Sequence, residues 1–116
     1  MSICGCILDG ELSLDLKTKL DDAFFRVTLE DVTMVDVSSI TVATTEGRVT
    51  GACVTKVPFR LNVPLPVSSN RRYVLRAELW ASGGEIFREG DYISTVAIPW
   101  EPYSRCSFWS IPLVRV

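Results

Sequence analysis

Polar and apolar residues alternate along most of this chain with a period of two. The pattern is clearest in Lys56–Val63, where Val57, Phe59, Leu61 and Val63 share one phase and Lys56, Arg60 and Asn62 the other. Arg72–Trp80 repeats it, with Tyr73, Leu75, Ala77 and Leu79 set against Arg72, Arg76 and Glu78. Successive side chains of a strand point to opposite faces, so each run predicts a strand with one buried side. Similar runs predict strands over Ile7–Leu16, Phe24–Val32, Ser38–Thr45, Tyr92–Ile98 and Ser107–Val116. Glu46-Gly47-Arg48 reads as an exit turn, and Ser82-Gly83-Gly84 as a hairpin into Glu85–Arg88. Pro58 lacks a ladder donor, which places Cys53–Val63 at a sheet edge or turns position 58 outward. Lys17–Asp22 is a charged turn, although Leu16 and Leu20 also stand four apart, as a short helix would have them.

Seven or eight short antiparallel strands without a substantial helix describe an all-β, single-domain β-sandwich or a partly open barrel. At 116 residues the chain makes one domain, 7–116, preceded by a short N-terminal segment, 1–6. The formal net charge of -2 gives no electrostatic basis for binding nucleic acid. Arg72 and Arg76 share an outward phase with Glu78, which reads as a solvated sheet surface. The chain contains no histidine, which removes the commonest general base, the usual nucleophile partner and the most frequent metal ligand. The carboxylate pairs Asp21-Asp22 and Glu30-Asp31 are sequence neighbours in a turn and a strand, a placement unsuited to an acid–base dyad. Cys4-Gly5-Cys6 is too closely spaced for a zinc knuckle. The reading is therefore of a binding protein with no catalytic residue, cofactor or metal.

Three segments carry a resemblance. Leu29-Glu30-Asp31-Val32, then Val57-Pro58-Phe59, then Arg71-Arg72-Tyr73-Val74-Leu75-Arg76-Ala77 follow one another as L-x-D-V, P-F-x-L and R-x-Y-x-L-R-A do in the YbaY/YscW family of small bacterial lipoproteins. Asp91–Thr95 and the closing Leu113–Val116 continue the likeness. Within that family the chain looks most similar to the type III secretion branch, whose members are pilotins. The resemblance implies a lipoprotein chaperone at the periplasmic face of the outer membrane. Its implied partner is the C-terminal peptide of a secretin subunit, expected as an amphipathic helix, whose channel it helps to localise and assemble. The alternative is a general cell-envelope lipoprotein of the same fold with no secretin client.

On this resemblance Ile3-Cys4-Gly5-Cys6 is similar to the end of a lipobox, with Cys6 the acylated residue; otherwise Cys4 and Cys6 are ordinary terminal cysteines. Upstream codons for a basic start and an apolar run ending at Cys6 would decide it. Cys53 and Cys106 are then left either as a disulfide in an oxidising periplasm or as two free thiols.

Aromatic residues concentrate in the last third of the chain, and a partner-binding groove is expected among them. Trp80 is out of phase with the inward set of its strand, as is Val74, and Trp100 lies in Pro99-Trp100-Glu101-Pro102. Val74, Trp80, Phe87, Trp100 and Tyr103 are the partner-binding candidates, with Trp80 and Trp100 expected at the surface; the competing role for each is core filling.

Overall fold

The computed structural model describes residues 6–34, 38–64, 71–81, 91–94, 98–100 and 108–116. All its regular elements are strands: β1 (Cys6–Asp31), β2 (Ile40–Val63), β3 (Tyr73–Trp80), β4 (Tyr92–Ile93), β5 (Ile98–Trp100) and β6 (Phe108–Arg115). β1 and β2 form a long antiparallel hairpin ladder running from Cys6↔Val63 to Asp31↔Ile40. Along its other edge β1 takes two partners. Its first half, Asp9–Leu14, runs parallel to β6, and its second half, Phe24–Asp31, pairs antiparallel with β3. β4 bridges β3 to β6, so the pairings β1–β3–β4–β6–β1 close on themselves. Of the two architectures compatible with the alternation, the barrel is the one formed.

Among the described residues the strands are fewer and longer than their sequence signals; the hairpin expected at Ser82-Gly83-Gly84 into Glu85–Arg88 lies outside them. The runs predicted over Ile7–Leu16 and Phe24–Val32 are both parts of β1, and Ser38–Thr45 and Cys53–Val63 are both parts of β2. Neither Lys17–Asp22 nor Glu46–Arg48 interrupts the backbone ladder as a turn or helix. The pairing instead passes through register shifts between Ser13/Thr18, Thr18/Leu20 and Leu20/Ala23. An inserted residue bends a strand and reverses the phase of everything beyond it. The inward residues of β1 are accordingly Leu8, Leu12, Leu14 and Leu20 before the last of these shifts, and Ala23, Phe25, Val27 and Leu29 after it. Asp22 sits at that shift with φ 51°, a conformation aspartate accepts more readily than most residues. Its amide donates to Thr50 Oγ1 at 3.0 Å. The parallel β1–β6 pairing is a second departure from the antiparallel expectation.

The barrel interior is filled by these β1 side chains with Val57, Phe59, Leu61 and Val63 of β2, Leu75 and Leu79 of β3, and Ile111 and Leu113 of β6. Each such side chain, fully buried, contributes ~1.5–3 kcal/mol of transfer free energy. Tyr92 is buried with its hydroxyl 2.9 Å from Thr18 Oγ1. Two phenylalanines lie over glycines on the facing strand, Phe59 over Gly10 and Phe25 over Gly47. Pro58 is exposed on β2, the terminal strand of the sheet, as its missing donor requires.

Candidate partner-binding face

Register determines which outward side chains meet. Across β2, β1 and β3, one row is Arg48, Phe24 and Trp80, and the next is Glu46, Arg26 and Glu78. Ile93 of β4 continues that second row beside Glu78, and Val114 of β6 stands beside Ile93. Thr28 faces Arg76, and Val74 lies between Glu30 and Pro99.

The first two rows form a compact aromatic and cationic cluster. The rings of Phe24 and Trp80 are 5.3 Å apart at 37°. The Arg26 guanidinium lies 5.4 Å from the Trp80 ring centre and 5.8 Å from that of Phe24, while its Nε donates to Glu46 Oε2 at 2.9 Å. Arg48 stacks on the far side of the cluster, 5.5 Å from the Phe24 ring centre. A planar, weakly hydrated guanidinium is suited to covering aromatic faces in this way. Glu78, beside Arg26, has its carboxyl pushed above the ordinary range chiefly by burial; Arg26 pulls it back and Glu30 pushes it further up. Glu30 in turn holds Arg76 and accepts from the Ser39 hydroxyl at 2.8 Å. The Asp31 carboxyl is held low, first by the Thr33 hydroxyl and amide and then by Arg71.

From this cluster an apolar strip passes around the barrel. Ile93 is 38% exposed and Val114 46%, and β6 continues outward in the same phase through Pro112 and Ser110 to Phe108, 53% exposed. The outward face of the first half of β1 and the second half of β2 is different. There Asp9 takes Arg60 at 2.7 Å and Glu11 takes Lys56 at 3.6 Å, giving a charged, self-satisfied surface.

Trp80 does project to the outer face, as its phase requires, but it is only 6% exposed because Phe24 and Arg26 pack on it. Trp100 is likewise 6% exposed; it ends β5, where Tyr73 meets it edge-on at 5.6 Å. The surface expectation for both tryptophans is therefore corrected: each is a packed residue. Val74 is half-buried and outward. Phe87 and Tyr103 lie outside the described residues. So does Cys106; Cys53 is an exposed free thiol, and Cys6 is the first residue of β1. The sequence candidates include neither Ile93 nor Val114, and Phe108 enters only as one of the aromatic residues of the last third. The signal was the phase of Phe108, Ser110, Pro112 and Val114 against Trp109, Ile111 and Leu113, which alone separates outward from inward in β6.

Comparison with known proteins places this geometry. The chain matches, over residues 8–98, the family described as type III secretion system lipoprotein chaperone (YscW). No curated protein matches it by sequence. Among solved structures it shares its fold with an alternative pilotin from the type II secretion system of Vibrio cholerae, with a TM-score of 0.78 at 17% identity over 96% of each chain. A chaperone family is non-enzymatic, in keeping with a chain that has no histidine and a side-chain-filled interior. The family model spans most of the barrel, from the first core leucine of β1 to the first residue of β5, and on that match this chain belongs to the YscW family of type III secretion lipoprotein chaperones.

Proposed function

We propose that the protein is a secretin pilotin, which binds the C-terminal tail of a type III secretion secretin and assists its localisation and assembly at the outer membrane. Family membership carries this reading. In this proposal an acyl chain on Cys6, the first residue of β1, anchors the barrel at the periplasmic face of the membrane. The secretin tail, folding as an amphipathic helix, lays its apolar side along Ile93, Val114 and Phe108. This strip supports the assignment because there, among the described residues, apolar side chains are left exposed in phase across two adjacent strands. Val74, outward on β3, and the sequence candidates Phe87 and Tyr103 are proposed as further contact residues. Trp80 and Trp100, both packed, are left out of the contact.

The test is titration of a synthetic secretin C-terminal peptide against the full chain, followed by calorimetry or fluorescence anisotropy. Val114→Glu, an exposed substitution, is expected to weaken binding about tenfold or more, equivalent to ~1.4 kcal/mol. Lys56→Gln, on the charged outward face of β2 and separated from β6 by β1, is expected to leave it unchanged. Absence of binding at high micromolar peptide would overturn the secretin reading. Binding that ignores Val114→Glu would move the site elsewhere on the barrel.

A further inference from the structure

β2 is the terminal strand of the sheet, and its edge away from β1 has no ladder partner among the described residues. An open edge is a template for another strand, and proteins that must stay apart protect it with proline, lysine or a bulge. The two halves of β2 differ sharply in this respect. The second half carries Lys56, Pro58 and Arg60, and its inward side chains Val57, Phe59, Leu61 and Val63 are sealed in the core. Between its two register irregularities the first half carries no proline, lysine or inserted residue, and its charged residues are one acid, Glu46, and one base, Arg48. One irregularity falls between Ala43 and Thr41, the other between Val54 and Gly51, so β2 runs from Ala43 to Gly51 without an inserted residue. Along this stretch Thr45, Gly47 and Val49, which share the inward phase, are only half-buried. An added strand would complete their cover.

The charges select the occupant. Between Ala43 and Gly51 the charged residues are Glu46 and Arg48, placed symmetrically about Gly47. If the segment is laid antiparallel against a copy of itself with Gly47 at the centre, Glu46 faces Arg48 of the other copy, and Arg48 faces its Glu46. Thr44 faces Thr50, Thr45 faces Val49 and Ala43 faces Gly51 by the same symmetry. Moving the centre by one residue sets Glu46 against Glu46 or Arg48 against Arg48, an unfavourable pairing directly across a ladder. The stretch between the two irregularities is itself centred on Gly47, so the geometric and electrostatic optima coincide.

We propose that two copies of this protein join edge to edge along Ala43–Gly51 of β2, antiparallel about a two-fold axis at Gly47, making one sheet continuous through both barrels. Such an isologous contact uses the same patch on each copy and closes as a dimer. It lies on the opposite edge of β1 from β3 and β6, so it leaves the β4–β6 strip free for a partner and stands independently of the secretin reading.

Sedimentation velocity and light scattering on the full chain test it, with a mass twice that of the chain expected. Glu46→Lys and Arg48→Glu, examined separately, each place two like-charge pairs across the axis, and each is expected to weaken dimerisation about tenfold or more. An equimolar mixture of the two variants restores opposite charges at every contact and is expected to recover the dimer. Since each reversal also removes an intrachain ion pair, a second variant keeps the charges intact. Thr45→Cys combined with Val49→Cys places the two introduced thiols opposite each other across the axis, at the ~4.5–5.5 Å Cα separation of facing strands, and oxidation should give a covalent dimer. A wild-type chain that stays monomeric up to its solubility limit overturns the proposal. So does a dimer indifferent to both reversals, or one that the cysteine pair fails to cross-link.

Discussion

Replacement of Gly10 by alanine tests the packing that ties β6 to β1. Gly10 has Phe59 on one side and Trp109 on the other. A Cβ at this position would lie 2.2 Å from the Trp109 carbonyl oxygen and 2.6 Å from Phe59 Cζ. The first contact is with backbone, so no rotamer change relieves it; either β6 moves away from β1 or β1 buckles. Overpacking of this kind costs ~1–3 kcal/mol, and a clash with main chain belongs at the upper end. The gain from a less flexible unfolded chain, ~0.4–1 kcal/mol, offsets part of that. A net loss of ~2 kcal/mol follows, which for a domain of this size lowers Tm by ~8 °C. Gly47→Ala and Gly51→Ala provide internal controls. The first would press on the Phe25 ring edge at 2.7 Å and the second on a Val54 methyl at 2.5 Å, both contacts with side chains instead of main chain. Each should cost less than Gly10→Ala. Thermal and urea unfolding of the three variants measures the order directly. A Gly10→Ala protein as stable as wild type, or one less affected than Gly47→Ala, would refute the steric argument and with it the close parallel packing of β1 on β6.

Further outcomes follow from single residues. Glu78 titrates above its usual 4.5 in the folded state, so between 4.5 and that raised value the folded protein holds more protons than the unfolded chain, and this group's contribution to stability falls as pH rises. Glu78→Gln should therefore gain stability relative to wild type from acid to neutral pH in urea titrations, and a difference constant with pH would count against it. Asp9 and Asp31 act oppositely: both are held below 3.8, so the stability they contribute is lost as pH falls through their lowered values. Asp22 has φ 51° at the last bend of β1; Asp22→Ala should cost ~1 kcal/mol, while Asp22→Gly, which accepts that conformation without strain, should be close to neutral. Equal urea midpoints for the alanine and glycine variants would show that the backbone there relaxes at no cost.

How much of the fold could be read beforehand is clearest in β1. The alternation of Leu8, Leu12 and Leu14, and again of Phe25, Val27 and Leu29, predicts strand on both sides of Lys17–Asp22. The reversal of phase between the two sets was visible as well, but a turn and a bulge both reverse phase. Only the partner strand tells them apart, because β2 supplies a facing residue at Thr18 and Leu20. Glu46-Gly47-Arg48 misleads for a related reason. A glycine between charges suits a turn, but here the missing side chain makes room for the Phe25 ring from the neighbouring strand, a contact made between residues far apart in sequence. The binding face was legible only in part. Phase placed Trp80 correctly on the outer side. Its burial depends on Phe24 and Arg26, whose register with β3 no local pattern encodes. The prolines flanking Trp100 suggest a loop, whereas pairing with Tyr73 makes it the end of a strand.

These assignments converge on a division of labour around the barrel wall. A closed barrel filled by leucine, valine and aromatic side chains offers little room for a guest inside, so recognition falls to its outside and its edges. Where Asp9 and Arg60 or Glu11 and Lys56 meet across β1 and β2, the outer face satisfies its own charges, and exposed pairs of this kind add ~0–1 kcal/mol to stability while discouraging apolar association. Where Ile93 and Val114 meet across β4 and β6, the facing pair is apolar, with Glu78 and Arg26 at its border. An apolar strip with a charged border favours a partner whose apolar residues lie in a line flanked by polar ones, which is the surface of an amphipathic helix. The edge of β2 offers backbone groups instead of side chains and so favours an extended strand. One small barrel thus presents two surfaces of different chemistry on separate strands, and occupation of one leaves the other open. That separation is what the paired measurements resolve: Val114→Glu should weaken peptide binding without altering mass, and Glu46→Lys should halve the mass without altering peptide affinity. A variant that moved both together would place the two surfaces in one site and overturn the division.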